Sequence, residues 1–202
     1  MIRELRGESC IAMEEVAPPK QEIQSSRSFG RPVKTMEELG EAISLYIVRA
    51  TIKLRRQDSV ASAIRVYIRT NPFQTSLPQY QAARTVVLSH PSQDTRIFLH
   101  AGKLALAQMY REGFAYAKAG IHLLDISSAK TIQTELFGDA EAECRAQNLM
   151  ATLDQINARF GKSIVQPGIA GWQGPRGWAM KRGNKSPAYT TQWKELARAK
   201  VE

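Results

Sequence analysis

Ala63-Ile64-Arg65-Val66-Tyr67-Ile68-Arg69-Thr70-Asn71-Pro72 is the stretch that decides the fold. Ile64, Val66 and Ile68 alternate with Arg65, Tyr67 and Arg69, the period-two pattern of a strand with one dry and one wet face. Asn71-Pro72 ends it, because proline has no amide hydrogen for the ladder. A strand with one apolar face needs a layer to cover that face, and the flanking sequence supplies one. Upstream, Thr35 to Gln57 reads as a helix, with Leu39, Ile43, Tyr46, Ile47, Ala50 and Leu54 recurring at three- and four-residue steps. Thr35 is its predicted N-cap and Glu38 stands at the capping-box position. Lys53, Arg55 and Arg56 suit the negative end of its dipole. Ahead of it, Glu22 to Phe29 reads as extended and is closed by Gly30.

Downstream, Gln74 to Gln79 reads as loop and Arg84 to Leu88 as a β-branched strand. Asp94 to Arg111 reads as a second helix, with Phe98, Ala101, Ala105 and Met109 on one stripe and Gly113 past its end. Tyr116 to Ile126 is the last strand. The order strand–helix–strand–strand–helix–strand predicts an α+β domain of two layers in the split βαβ pattern: a four-stranded sheet with two helices on one face. The other face then gathers Arg65, Tyr67, Arg69 and Lys118, with Arg27 and Arg84 as further candidates. Such a face is either a surface that grips the backbone of DNA or an ordinary solvated strand face, and the alternation allows both.

The character changes after Ile126. A small, polar run leads to Gln133-Thr134-Glu135-Leu136-Phe137. Gln followed by Leu and Phe has the make-up of a short docking peptide, although such a pair also packs on its own domain. Ala140 to Phe160 is predicted as a third helix, with Leu149, Leu153 and Ile156 on one face. The remainder is rich in Gly and Pro, and sets Trp172, Trp178, Tyr189 and Trp193 among basic residues. These aromatics either stack on bases or, as we expect for the tryptophans, build a small satellite core with Lys and Arg at its rim. Net charge is +9, and nine Lys or Arg against two Glu from Arg159 onward place +7 of it in the last 44 residues. That balance favours a polyanionic partner.

Several classes find no support. No apolar run is long enough to cross a bilayer, and the start does not read as a secretory signal. Cys10 and Cys144 lie far apart without CxxC spacing and read as free thiols. His90, His100 and His122 form no metal-ligand pattern. There is no paired acidic metal site, no nucleophile beside a base and no Gly-rich phosphate loop.

Blocks along the chain resemble, in order, the carboxyl-terminal part of UmuC-type Y-family translesion DNA polymerases. They are Glu14-Glu15-Val16-Ala17-Pro18-Pro19-Lys20-Gln21, Ser25-Ser26-Arg27-Ser28-Phe29-Gly30, Ile68-Arg69-Thr70-Asn71-Pro72-Phe73, and Tyr116 with Lys118-Ala119-Gly120. Gln133 to Phe137, Trp178-Ala179-Met180-Lys181-Arg182 and Ser186-Pro187-Ala188-Tyr189-Thr190-Thr191 complete the set. The resemblance implies a thumb and linker remnant at 1–14, a little-finger DNA-binding domain at 15–127 and a linker with the clamp motif at 128–139. A basic, helix-containing extension follows at 140–202. It implies contacts to primer–template DNA from Ser26, Arg27, Ser28, Arg65, Arg69, Thr70 and Lys118, and docking on the β sliding clamp through Gln133, Leu136 and Phe137. Thr134 stands where the family often has Leu, which removes an apolar contact of about 1–2 kcal/mol.

The resemblance further implies work in the bacterial cytoplasm with a UmuD-type subunit and RecA during the SOS response, and Mg2+ held by a palm that lies upstream of these residues. The chain by itself is then expected to be inactive, as part of a longer polymerase or a separate truncated product. A stand-alone module competing for clamp or RecA, and an inactive relic, are the alternatives.

Overall fold

The computed structural model describes residues 2–7, 10, 19–131, 140–161, 163–170, 176–180, 183 and 185–196. A single helical turn, α1 (Ile2–Leu5), precedes β1 (Ile23–Val33), α2 (Met36–Arg56), β2 (Ser59–Thr70) and β3 (Gln81–Ser92). Then come α3 (Thr95–Met109), β4 (Tyr116–Ser128) and α4 (Ala140–Phe160).

The four strands lie in the order β1-β4-β2-β3, and every neighbouring pair is antiparallel. β1 and β2 therefore run parallel with β4 between them, joined by α2. β3 and β4 run parallel with β2 between them, joined by α3. These are two interleaved split βαβ units, as the element order predicts. The strands are longer than the periodicity shows. Ser59 pairs with Ser128 and Val60 with Ser127, in a stretch of small residues without alternation. A ladder joins backbone groups and continues wherever they can meet, whatever the side chains. β1 likewise runs through Gly30 to Val33, although its register on β4 breaks between Ser28 and Val33.

The core lies between the two helices and one sheet face. Leu39, Ile43, Tyr46, Ile47 and Leu54 from α2 and Phe98 and Leu106 from α3 meet Ile64, Ile68, Ile121 and Leu123 from the sheet. The helices approach closely at Gly102, where a Cβ would come within 2.5 Å of Ile47 Cδ1. Thr35 caps α2 by accepting the Glu38 N–H at 3.3 Å, and the Glu38 carboxylate pairs with Arg31. Asp94 caps α3 by accepting the Arg96 N–H at 2.8 Å. The Tyr46 hydroxyl is buried without a hydrogen-bond partner among the described residues, and burial pushes its pKa up to about 12.

The extension is knitted into this body. Arg55, expected to serve the helix dipole, turns inward instead. Its Nε and Nη2 donate to the two carboxylate oxygens of Asp154 at 2.6 and 2.8 Å. Its Nη1 donates to the Gln93 carbonyl and to Thr95 Oγ1. The face that α4 buries is thus Met150 with Asp154, while Leu149 is 41% exposed. Of the expected stripe, Leu153 and Ile156 are half-buried beside Asp154, and Leu149 gives way to Met150, because the ion pair sets the rotation of the helix.

The expected satellite core of three tryptophans is also not formed. Trp178 is 5% exposed and belongs to the main core, Trp193 is 89% exposed, and Trp172 lies outside the described residues. The Trp178 indole meets Phe29 edge-on at 5.8 Å, and its Nε1–H donates to Glu41 Oε2 at 3.1 Å. Arg176 Nε donates to Glu41 Oε1 at 2.8 Å, and the Gly30 N–H donates to the Trp178 carbonyl at 3.0 Å.

Trp178→Ala is expected to lower stability by about 3 kcal/mol through the cavity it leaves. The melting temperature followed by circular dichroism should then fall by roughly 6–12 °C for a chain of this size. An unchanged melting curve would remove Trp178 from the core.

Candidate nucleic-acid interface

Because both helices cover the same side of the sheet, its other side is left open among the described residues, and the register places its residues in rows. Gln24, His122, Arg65 and Thr85 form one row across β1, β4, β2 and β3. Ser26, Gly120, Tyr67 and Ala83 form the next, and Ser28, Lys118, Arg69 and Gln81 the third. Ser26, Ser28, Arg65, Arg69 and Lys118 therefore share one face.

Three candidates do not. Arg27 aligns with Ala119, Ile68 and Ala82, and Arg84 with Val66, Ile121 and Ser25, so both belong to the helix-covered side, at its two edges. The reason is parity: an odd step along an edge strand turns the side chain to the opposite face. Thr70 is 6% exposed, and its hydroxyl donates to Gln79 Oε1 at 2.8 Å while accepting the Tyr80 N–H at 3.0 Å. It closes the β2–β3 connection and is not presented to a ligand. Gln133, Leu136 and Phe137 lie outside the described residues. The chain leading toward them is anchored, with the Ala129 N–H donating to the Asp58 carbonyl at 2.8 Å.

At the centre of the face the Tyr67 ring lies across Gly120. A Cβ at Gly120 would stand 2.7 Å from the ring and 2.4 Å from Ser26 Cβ. Glycine is needed there for a close approach of side chains. Gln24 Nε2 donates to the Tyr67 hydroxyl at 3.3 Å, and His122 meets the Tyr67 ring edge-on at 5.6 Å. Gln24 was missed in the sequence, although counting back in twos from Ser28 and Ser26 reaches it. Burial lowers the pKa of His122 from 6.5; Glu22 acts to raise it and Arg65 to lower it. At neutral pH its imidazole is therefore uncharged.

Arg65 is exposed and Arg69 and Lys118 are half-buried; none of the three takes part in an ion pair among the described residues. Arg65 and Arg69 stand two rows apart, about 13 Å along the strand. The arrangement offers three cations without an ion-pair partner among the described residues, two serine hydroxyls and a polar aromatic on one sheet face. It can neutralise phosphates and donate hydrogen bonds to them.

Among the described residues there is no group of three or more His, Cys, Asp or Glu close enough to hold a metal ion. The Mg2+ implied for a parent enzyme thus finds no donor set there. Nor is any described helix long and apolar enough to cross a membrane.

Residues 20–136 match the model of the impB/mucB/samB family C-terminal domain, and residues 147–199 match a domain of unknown function, DUF4113. The chain is 40% identical over 199 residues to Protein UmuC of Salmonella typhimurium strain LT2, covering 98% of this chain and 47% of that protein. It is 41% identical over 201 residues to Protein MucB of Escherichia coli, covering 100% of this chain and 47% of that protein. The chain thus spans about half the length of the curated relatives it matches. Among solved structures, a complex of the β-clamp processivity factor with the little finger domain of PolIV matches at 14% identity and a TM-score of 0.41, covering 58% of this chain and 99% of that one. An insertion ternary complex of Dbh DNA polymerase matches at 11% identity and a TM-score of 0.40, covering 63% and 34%. Both likenesses are too distant to bear on function.

Gly120→Ala is expected to displace Tyr67 and push β1 from β4, lowering stability by about 1–3 kcal/mol. In urea unfolding the midpoint should fall while the slope stays constant. A midpoint equal to the parent chain's would mean that the ring and Ser26 are free to move aside.

Proposed function

The chain belongs to the impB/mucB/samB family, and from that premise we propose that it is the DNA-gripping and clamp-docking part of an error-prone translesion polymerase. The single observation that carries this reading is the set Arg65, Arg69 and Lys118, without an ion pair to a carboxylate among the described residues, on the sheet face that no described helix covers. Ser26 and Ser28 sit on the same face at the edge strand. On this reading the face tracks the phosphates of primer–template DNA and holds it without reading its sequence, as an enzyme that passes over damaged templates requires. Tyr67 supplies a rigid centre against which the cations are arrayed. Thr70 has no part in the grip, and Arg27 stands outside the rows.

The chemistry of nucleotide addition, and the Mg2+ that assists it, belong on this reading to the portion of the relatives that this chain does not span. The chain alone is then a binding part without polymerase activity, in a bacterial cytoplasm. Gln133, Leu136 and Phe137 are proposed to dock on the β clamp, which would keep a weakly held polymerase near its template by raising its local concentration. Contacts with a UmuD-type subunit and with RecA are proposed on family resemblance, for the SOS response.

If Arg65, Arg69 and Lys118 each neutralise one phosphate, log K should fall against log salt with a slope of roughly −3. Replacing Arg65, Arg69 and Lys118 together by Ala should bring that slope nearer zero by about 3 and weaken binding similarly on every duplex sequence tested. Fluorescence anisotropy over a salt series checks this, and an unchanged slope would remove the face from the reading.

The double variant Leu136→Ala, Phe137→Ala should lose retention on immobilised clamp while keeping the DNA salt slope. Retention equal to the parent chain's would remove the docking segment.

A further inference from the structure

β2 ends at Thr70, and past the row of Ser28, Lys118, Arg69 and Gln81 the β2–β3 connection projects from that end of the sheet. It carries Phe73, which is 92% exposed. The loop around it is braced from within. Asn71 Oδ1 accepts the Phe73 N–H at 3.1 Å, and the Asn71 carbonyl accepts the Gln74 N–H at 3.2 Å. Gln79 Nε2 donates to the Gln74 and Leu77 carbonyls at 2.8 and 3.0 Å, and Gln79 Oε1 receives the Thr70 hydroxyl. Tyr80, at the base of the loop, donates its hydroxyl to the Met109 carbonyl at 2.8 Å. A hollow of about 160 Å³, lined in part by Phe29, Leu77 and Pro78, opens beside the loop, and Phe73 does not line it. These hydrogen bonds fix the backbone of the loop, and the Phe73 ring lies in solvent, outside the hollow.

We propose that Phe73 is a stacking platform for an unpaired nucleobase, set at the end of the cationic face where held duplex gives way to single strand. This rests on reading that face as a grip for DNA. The geometry favours an unpaired base over one inside the duplex, because paired bases already have both faces stacked on their neighbours. Within the paired stack a loop aromatic finds no free base face, whereas an opened strand offers one at every base. The position of the ring follows the same logic: phosphates seated on Arg69 and Lys118 lead the strand toward the loop at that end of the sheet. A braced loop also loses little freedom on binding, so the contact adds to affinity with small ordering cost.

The test uses the full chain with two ligands: a primer–template with a single-stranded overhang and a blunt duplex of equal charge count. Phe73→Ala is expected to weaken binding to the overhang substrate by roughly tenfold to a hundredfold and to leave the blunt duplex and the salt slope unchanged. Phe73→Trp is expected to restore overhang affinity and to show an emission change on binding the overhang that the blunt duplex does not produce. Equal affinities of the parent chain and Phe73→Ala for both ligands would overturn the assignment and leave the cationic face standing. Equal losses on both ligands would overturn it too, as a general effect on the fold. Failure of the parent chain to bind either ligand would instead overturn the reading of the face beneath it.

Discussion

Burial on one side only is the constraint from which the other properties of this molecule descend. Two connecting helices, α2 and α3, carry the chain back over the same side of the sheet, so the apolar half of the central strands β2 and β4 is covered and the polar half is not. Period-two geometry then sorts the residues of β2 without further instruction: Ile64, Val66 and Ile68 inward, Arg65, Tyr67 and Arg69 outward. The basic face is the complement of the core. A one-residue slip of β2 against β4 would bury guanidinium groups and expose isoleucines, so the packing that stabilises the fold also fixes the register of the cations.

The extension adds a second layer of constraint on the helices. Glu41 receives both Arg176 and the Trp178 indole, and Asp154 receives two nitrogens of Arg55, which is only 10% exposed at its side chain. A partly buried ion pair contributes less to net stability than its short distances suggest, since both groups lose water. Its larger effect is on geometry. Bidentate contacts tolerate little rotation, and α4 presents Met150 inward because Asp154 must face Arg55. The two family matches divide the chain at about residue 140, whereas the packing runs across that division through Trp178 and Asp154.

Strong periodicity made the central elements legible: the alternation of β2, the stripe of α2 and the cap at Thr35 all stand as the sequence implies. What could not be read was whatever depends on a partner remote in sequence. Leu149 and Met150 are equally apolar neighbours, and only the distant Arg55 decides which is buried. Arg27 sits between two serines that do reach the open face, and the edge position of β1, invisible in one sequence, conceals that its own side chain points the other way. Thr70 is implied as a DNA contact by the family resemblance alone; the loop that returns nine residues later, at Gln79, engages its hydroxyl first. Tryptophans suggested a cluster by composition alone, and Trp178 had a better cavity to fill in the main body.

The bond from the Gly30 N–H to the Trp178 carbonyl carries a further consequence. β1 is an edge strand, and an open edge offers unpaired amides and carbonyls to any extended chain that drifts alongside. Here one amide of that edge is taken by the extension, the next residue but one is Pro32, which has none, and the strand parts from β4 between Ser28 and Val33. A neighbouring molecule finds no straight ladder to continue on that half of the edge. The opposite edge, β3, contains Pro91 near its end. The docked tryptophan loop therefore doubles as a guard against sheet-to-sheet zippering, and a chain deprived of it would meet crowding by aggregating as well as by unfolding.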